Sequence, residues 1–164
     1  MDRQEDLGRV WDIVEKADVG MLTTRFSGGL RARPVEPRLD RERGVIRFVT
    51  DVRGLKDDEI EKSPDVGLVV ISAADKAYLS ITGRAVVTRD RAAAEKIWHS
   101  TDDVWWPGGP DDPNVRVIVL TPTLAELWDG PASSMVAAFE MAKAKVTGQK
   151  PNLGEKRKQS VNLG

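Results

Sequence analysis

The first ninety residues of the chain alternate between apolar and polar side chains, largely with the two-residue period of β-strands. Segments with this pattern are Val19–Arg25, Leu30–Leu39, Val45–Thr50, Val66–Ser72 and Ala77–Thr88. The fourth segment is almost continuously apolar, which predicts a central strand buried on both faces. Gly28 and Gly29 permit the positive φ of a tight turn, so the first two segments are expected to form a hairpin.

Helical spacing of apolar residues appears four times. It predicts an N-terminal helix around Leu7–Val14, a short helix after Lys56, and helices over Asp90–Trp98 and Ser133–Gly148. Two further strand segments lie on either side of Pro122, and Gly83 predicts a bulge or a sharp bend in the long strand Ala77–Thr88.

Six or seven strands with short turns and peripheral helices favour a mainly β fold, built as a mostly antiparallel barrel. One domain is expected over residues 1–148, followed by a polar tail, 149–164, that is expected to be loose.

The composition narrows the chemistry that the chain can perform. Charged residues make up 31% and the formal net charge is −1, which argues against a nucleic-acid partner. Cysteine is absent and His99 is the sole histidine, so thiolate chemistry and metal sites with two imidazoles within one chain are excluded. The N-terminus lacks the features of a signal peptide, and no apolar run approaches about 18 residues, so we expect a cytoplasmic protein without a membrane partner.

The stretch Leu30–Lys56 combines two strand-like segments with several cations and a helix start. Strand alternation puts Arg31 and Arg33 on the same face. The turn after the second strand offers hydroxyl, main-chain and cationic groups to a phosphate, at Thr50, Arg53, Gly54 and Lys56. The alternative is that these arginines are ordinary surface residues, either solvated or paired with nearby acids.

The order of several motifs resembles a known family. A strand with R-x-R-P at Arg31–Pro34, a strand ending in V-T-D, and a lysine six residues after the threonine are similar to the flavin-binding half of the pyridoxamine 5′-phosphate oxidase-like split barrels. AELWDG at Ala125–Gly130 resembles the family's tryptophan strand, and WWPGGPDDP at Trp105–Pro113 resembles a loop of its general stress protein branch. The similarity covers about Leu7–Gly154, and it implies an antiparallel split β-barrel.

The resemblance also implies a cofactor and the residues that hold it. The cofactor would be flavin mononucleotide (FMN), in a homodimer with two shared sites. Arg33 matches an arginine at the phosphate or flavin edge, Val49 a main-chain contact, and Thr50 a hydroxyl contact. Trp128 matches a tryptophan that contacts the flavin bound mainly by the neighbouring subunit. The remaining members of the implied site are Arg31 beside Arg33, the phosphate lysine Lys56, and Leu55, which stands where relatives have a second arginine.

The resemblance does not extend to the true oxidases. These have an R-x-H-x-R segment soon after the tryptophan strand, whereas this chain reads PASSMVAAFE there, so oxidation of pyridoxamine phosphate is not expected. The leading hypothesis is an FMN-binding protein of the general stress protein type that acts as an FMN-dependent oxidoreductase on an unidentified substrate. The alternatives are a flavin carrier or sensor without turnover, and a split barrel that binds FAD, the deazaflavin F420 or haem. No catalytic residue and no metal ligand is assigned.

Overall fold

A computed structural model describes residues 3–54, 56–129, 134–148 and 157–163 of the chain. The helices are α1 Arg3–Glu15, α2 Lys56–Lys62, α3 Arg91–Ile97 and α4 Ser134–Thr147. The strands are β1 Gly20–Phe26, β2 Gly29–Val35, β3 Arg38–Asp40, β4 Val45–Asp51, β5 Asp65–Ser72, β6 Ala77–Thr88, β7 Val115–Asp129 and β8 Arg157–Asn162. Short 3₁₀ turns cover 52–54, 100–104 and 109–111. The start of α4 predicted at Ser133 lies outside the described residues.

All eight strands belong to one antiparallel sheet. Their order is β2-β1-β5-β6-β7-β4-β3, and β8 also pairs with β7. The sheet curls so that β2, at one end of this order, also approaches β4, which is the second strand from the other end. The mainly β, antiparallel architecture predicted from the sequence is confirmed.

The inner face of the curled sheet carries the main core. Buried side chains come from nearly every strand and from α1 and α2, and the largest of them are Phe48, Ile13, Leu22, Ile46, Ile60, Leu68, Leu79, Ile81, Ile118, Leu120 and Leu127. A second, smaller cluster fills the space between the outer face of β4 and β7 and the segment that holds α3 and the following 3₁₀ turns. No helix in the described parts of the chain is both long and apolar enough to cross a bilayer.

Strand β5 corrects one prediction from the sequence. It is central in the sheet, as predicted, but only one of its faces is buried. Val69 is 41% exposed and Ile71 is 63% exposed on the outer face. The apolar character of this strand is therefore not explained by burial within one chain.

Two predicted strand boundaries also differ. Leu30–Leu39 is not one strand, because the chain leaves the sheet at Glu36–Pro37 and resumes as β3. Conversely, the two segments around Pro122 form the single long strand β7, with a bulge where the pairing shifts from Thr82 with Leu124 to Gly83 with Pro122. The register irregularity predicted at Gly83 is therefore present, but the extra residue is Thr123 of β7 and not a residue of β6. Gly83 itself allows a close approach of the two strands, because a Cβ atom there would lie 2.4 Å from the Thr121 carbonyl oxygen.

The polar tail is not entirely loose. Residues 157–162 form β8, which pairs with the end of β7, and Val161 is buried in the main core. Leu163 adds a main-chain hydrogen bond of 2.9 Å from its N–H to the Thr123 carbonyl. The prediction of a loose tail is therefore wrong for residues 157–163.

Candidate functional site

The two arginines of the R-x-R-P motif lie on the inner face of β2. In the β1–β2 hairpin Arg31 is opposite Thr24 and Arg33 is opposite Leu22, and both Thr24 and Leu22 are buried. The shared face that strand alternation predicts is confirmed. Both arginines face helix α2, which contacts β1 at this end of the sheet.

Glu59 of α2, which is itself buried, joins these side chains into one cluster. Arg33 binds it through both terminal nitrogens, with Nη1 2.7 Å from Oε2 and Nη2 2.9 Å from Oε1. The Thr24 hydroxyl donates to Oε2 at 2.5 Å and accepts a hydrogen bond of 3.1 Å from Arg33 Nη1. Arg31 adds an ion pair, with Nη1 3.3 Å from Oε1. Both arginines thus pair with a nearby acid, which is the alternative that the sequence left open.

The cluster keeps Glu59 ionised although it is only 8% exposed. Hydrogen bonds from Arg33 lower the pKa of Glu59 to about 2, burial opposes this shift, and the Thr24 hydroxyl adds to it. Sequence reasoning missed Glu59. The available signal was its position three residues after Lys56, next to the buried Ile60 of the same helix.

Arg31 is more open to solvent than Arg33. Its side chain is 41% exposed against 16% for Arg33, and its guanidinium lies 4.1 Å from the centre of the Phe26 ring. It lines a groove of about 540 Å³ whose other walls are Arg25, Phe26, Ser27, Asp58, Glu59, Lys62 and Ser63. Of the two arginines, Arg31 is therefore the better placed to meet a ligand from solvent.

The end of β4 offers main-chain groups. Strand β3 pairs only with Val45–Arg47, so from Phe48 to Asp51 the described strands pair with β4 on one edge alone, the edge facing β7. Alternate N–H and C=O groups of this stretch point to the other edge. The Val49 side chain packs in the second cluster, which leaves only its main chain for a ligand, while Thr50 is 4% exposed.

The turn after β4 is held by Asp51. This carboxylate accepts a hydrogen bond of 2.8 Å from the Arg53 main-chain N–H, forms an ion pair with the Arg53 side chain, and accepts a 3.1 Å bond from Trp106 Nε1. Chiefly because of Arg53, the pKa of Asp51 is lowered to about 2. Lys56 follows as the first residue of α2, and Leu55 lies outside the described residues.

The loop that contains WWPGGPDDP is anchored by a second buried ion pair. Arg38 binds Asp102 through two contacts of 2.8 Å, and Asp102 is only 5% exposed. Glu36 lies 3.2 Å from Arg38 and 3.0 Å from His99 Nδ1. These residues hold the loop on β3 through contacts that do not include Glu59.

Trp128 lies far along the sheet from the turn. Thr50 is opposite Arg116 near the start of β7, whereas Trp128 is twelve residues further along the same strand. At roughly 3.3 Å per residue this is about 40 Å of extended strand. One protomer therefore places Thr50 and Trp128 near opposite ends of β7.

An apolar strip runs across the outer face of the sheet to Trp128. Neighbouring strands pair Met21 with Val69, Ile71 with Tyr78, and Tyr78 with the half-buried Trp128. We define the outer strip as the exposed members Met21, Val69, Ile71, Tyr78 and Leu124, which are between 39% and 63% exposed. No other part of the described chain covers these side chains fully.

With this fold and this set of residues, the chain belongs to the family described as pyridoxamine 5′-phosphate oxidase like, whose family model matches residues 5–152. Among characterised proteins it is similar to General stress protein 26 of Bacillus subtilis (strain 168), at 27% identity over 126 residues. That match covers 74% of this chain and 87% of the relative.

Solved structures show the same fold. A protein described as general stress protein 26 from Jannaschia sp. CCS1 matches with a TM-score of 0.74 and 27% identity, over 96% of this chain and 99% of that one. The general stress FMN/FAD binding protein from Xanthomonas citri matches with a TM-score of 0.66 and 24% identity, over 79% of this chain and 92% of that one. The split-barrel fold implied by the sequence motifs is confirmed.

Proposed function

We propose that this protein binds FMN at the junction of β2, the end of β4 and the start of α2. The observation that carries the proposal is the contact of Glu59 with both Arg31 and Arg33. Glu59 lies one helical turn after Lys56, so this contact brings the start of α2 against the β2 arginines. Residues that are far apart in the sequence thereby form one cationic site.

The residues of this junction fit a phosphate monoester. Arg31, Arg33 and Lys56 supply three cationic side chains, and Glu59 is the carboxylate that pairs with the two arginines. A phosphate monoester carries a charge of about −1.5 to −2 near neutral pH. The Thr50 hydroxyl and the open edge of β4 add uncharged hydrogen-bonding groups, and Arg53 lies in the 3₁₀ turn that follows β4.

The relatives support a flavin over other phosphate compounds. The Xanthomonas citri relative is described as an FMN/FAD binding protein, and a relative of the same fold from Nostoc punctiforme is described as an FMN binding protein. Within our proposal the ligand is FMN, and FAD and F420 are the competing choices that the experiment below separates.

The proposal includes a homodimer with two shared sites. Thr50 and Trp128 lie near opposite ends of β7, so a site that uses both residues requires two chains. The outer strip supplies an exposed apolar surface that ends at Trp128 and suits burial against a second copy. Each chain would then give its arginine junction to one flavin and its Trp128 to the other.

When bound, the flavin supplies the redox chemistry, and the chain holds and shields it. Arg31, Arg33 and Lys56 would fix the phosphate, the main chain at Val49 would border the ring, and the partner's Trp128 would exclude water from one side. An FMN-dependent oxidoreductase activity follows if the bound ring remains open to an electron donor.

The test is a set of titrations of the purified protein with FMN, FAD, F420, haem and riboflavin, followed by fluorescence or absorbance. We expect FMN to bind most tightly, with two equivalents per dimer. Anaerobic addition of NADH or NADPH then distinguishes an oxidoreductase, in which the flavin is bleached, from a carrier or sensor, in which it is not. A protein that binds none of the flavins at saturating concentration would disprove the proposal.

A further inference from the structure

Glu59 has a role at this junction that neither the sequence motifs nor the family relationship assigns. It is the one side chain that contacts both β2 arginines and also belongs to the helix that begins with Lys56, as far as the described residues show. The carboxylate therefore connects the two halves of the proposed phosphate site. Its position raises the question of whether it only stabilises the fold or also arranges the site.

We infer that Glu59 is a positioning residue for phosphate binding, which holds Arg33 rigidly and sets Arg31 and the start of α2 around the ligand. This inference rests on the proposed flavin function. The ligand group concerned is the phosphate monoester of FMN, which riboflavin lacks.

The contacts of the two arginines indicate different roles for Arg33 and Arg31. Arg33 uses three of its five N–H donors on Glu59 and Thr24, and its side chain is 16% exposed. Arg31 makes a single longer contact of 3.3 Å to Glu59 and is 41% exposed. Its remaining donors are the ones that a phosphate entering the groove can reach. Arg33 thus fixes Glu59, and Glu59 orients Arg31.

Glu59 also positions helix α2. The bidentate contact between Arg33 and Glu59 is planar and directional, so it restrains the rotation of α2 as well as its distance from β2. Lys56 lies one turn earlier on the same short helix. Without Glu59, the contacts that hold Lys56 and the two arginines in a fixed arrangement are lost. The phosphate must then order these side chains when it binds, which lowers its affinity.

The chain contains a matched control for a purely structural role. Arg38 and Asp102 also form a buried bidentate pair, with both contacts at 2.8 Å, and that pair anchors the loop at 98–113. Glu59→Gln and Asp102→Asn each replace a buried carboxylate by an amide of the same shape. Both variants weaken a buried pair, but only the first one touches the proposed phosphate site.

The readout is the phosphate preference, defined as the riboflavin dissociation constant divided by the FMN dissociation constant. We expect Glu59→Gln to lower this preference at least tenfold, while riboflavin affinity changes less than threefold. Asp102→Asn should lower the thermal midpoint by a similar amount and leave the preference within twofold of wild type. If Glu59→Gln does not fold, Thr24→Val removes one hydroxyl contact to the same carboxylate and should lower the preference about threefold.

The possible outcomes separate the two proposals. An unchanged preference in Glu59→Gln, with riboflavin still bound, would overturn the positioning role and leave the flavin function intact. A raised preference would also overturn it, because it would show that Glu59 competes with the phosphate for the arginines. A wild-type protein that binds neither FMN nor riboflavin would remove the flavin function, and the role of Glu59 with it.

Discussion

Arg9 of α1 and Asp129 at the end of β7 form a two-contact ion pair across 120 residues of sequence. Arg9 Nε lies 3.1 Å from Oδ2 of Asp129, and Nη2 lies 3.1 Å from Oδ1. Both side chains are about one-third exposed, so the pair contributes on the order of 0.5–1 kcal/mol to stability. The pair also links the residue immediately after Trp128 to the N-terminal helix.

This anchorage makes Trp128 suitable as a rigid contact surface. We predict that Trp128→Ala weakens flavin binding by about 1–3 kcal/mol, by analogy with base stacking on aromatic side chains, and lowers the free energy of unfolding by less. Flavin titration and urea unfolding of the same variant check both parts.

Trp11 provides the matched control, because it is a core tryptophan with 7% exposure. Trp11→Ala should lose about 3–5 kcal/mol of stability and keep the flavin affinity of the folded fraction. If Trp128→Ala behaves like Trp11→Ala, with unchanged affinity and a large loss of stability, Trp128 belongs to the core and not to the site.

Arg31 and Lys56 should contribute to phosphate binding in particular. We predict that Arg31→Ala and Lys56→Ala each raise the FMN dissociation constant roughly ten- to hundredfold, since a charge-assisted hydrogen bond is worth about 1.5–3 kcal/mol. Riboflavin affinity should change little. Arg43→Ala, which removes an exposed arginine of the β3–β4 turn, is the control for general charge. Equal weakening of FMN and riboflavin would reject the phosphate assignment.

Arg33→Ala should affect folding stability as well as FMN binding, whereas the sequence alone predicts an effect on FMN binding only. Arg33 matches the family's arginine, so its loss is expected to weaken FMN binding selectively. The structure adds a loss of folding stability that no local sequence pattern reveals, because Arg33→Ala removes the main partner of a buried carboxylate.

Strand alternation predicted the face of β2 correctly. The partner on that face depended on how α2 docks, which short-range periodicity does not encode.

Strand β8 is a second feature that short-range periodicity does not predict. Its residues are mostly polar, so hydrophobic periodicity gave no strand, and only the alternate positions Val161 and Leu163 carried a weak signal. What forms the strand is the edge that β7 leaves open beyond β4. Strand pairing of this kind is decided by the rest of the sheet and not by the segment itself.

Glu59 makes a prediction about acid stability. Its pKa is lowered from 4.5 to about 2 in the folded chain, so the unfolded state binds the extra proton as the pH falls. The stabilising contribution is complete above about pH 4.5 and is lost between there and pH 2. This contribution amounts to about 3 kcal/mol. Urea unfolding between pH 5 and pH 2.5 should therefore show a steeper loss of stability in wild type than in Glu59→Gln, and parallel curves would contradict the lowered pKa.

The outer strip should mediate dimer formation. Ile71 and Val86 are both 63% exposed on the outer face of the sheet, but only Ile71 belongs to the strip that leads to Trp128. We predict that the wild-type protein is a dimer at micromolar concentration and that Ile71→Glu is a monomer, because a charge buried in an apolar interface without a partner is strongly unfavourable. Val86→Glu should remain a dimer.

The dimer prediction also tests the shared site, because flavin affinity must fall together with the dimer. In Ile71→Glu the arginine junction is untouched, yet the partner's Trp128 is removed from each flavin, so FMN and riboflavin should weaken by the same factor. The phosphate preference should stay as in wild type, in contrast to Arg31→Ala. Light scattering and the two titrations on one preparation decide the matter. A monomer that binds FMN with wild-type affinity would show that each chain holds its flavin alone, and Trp128 would then have no part in the site.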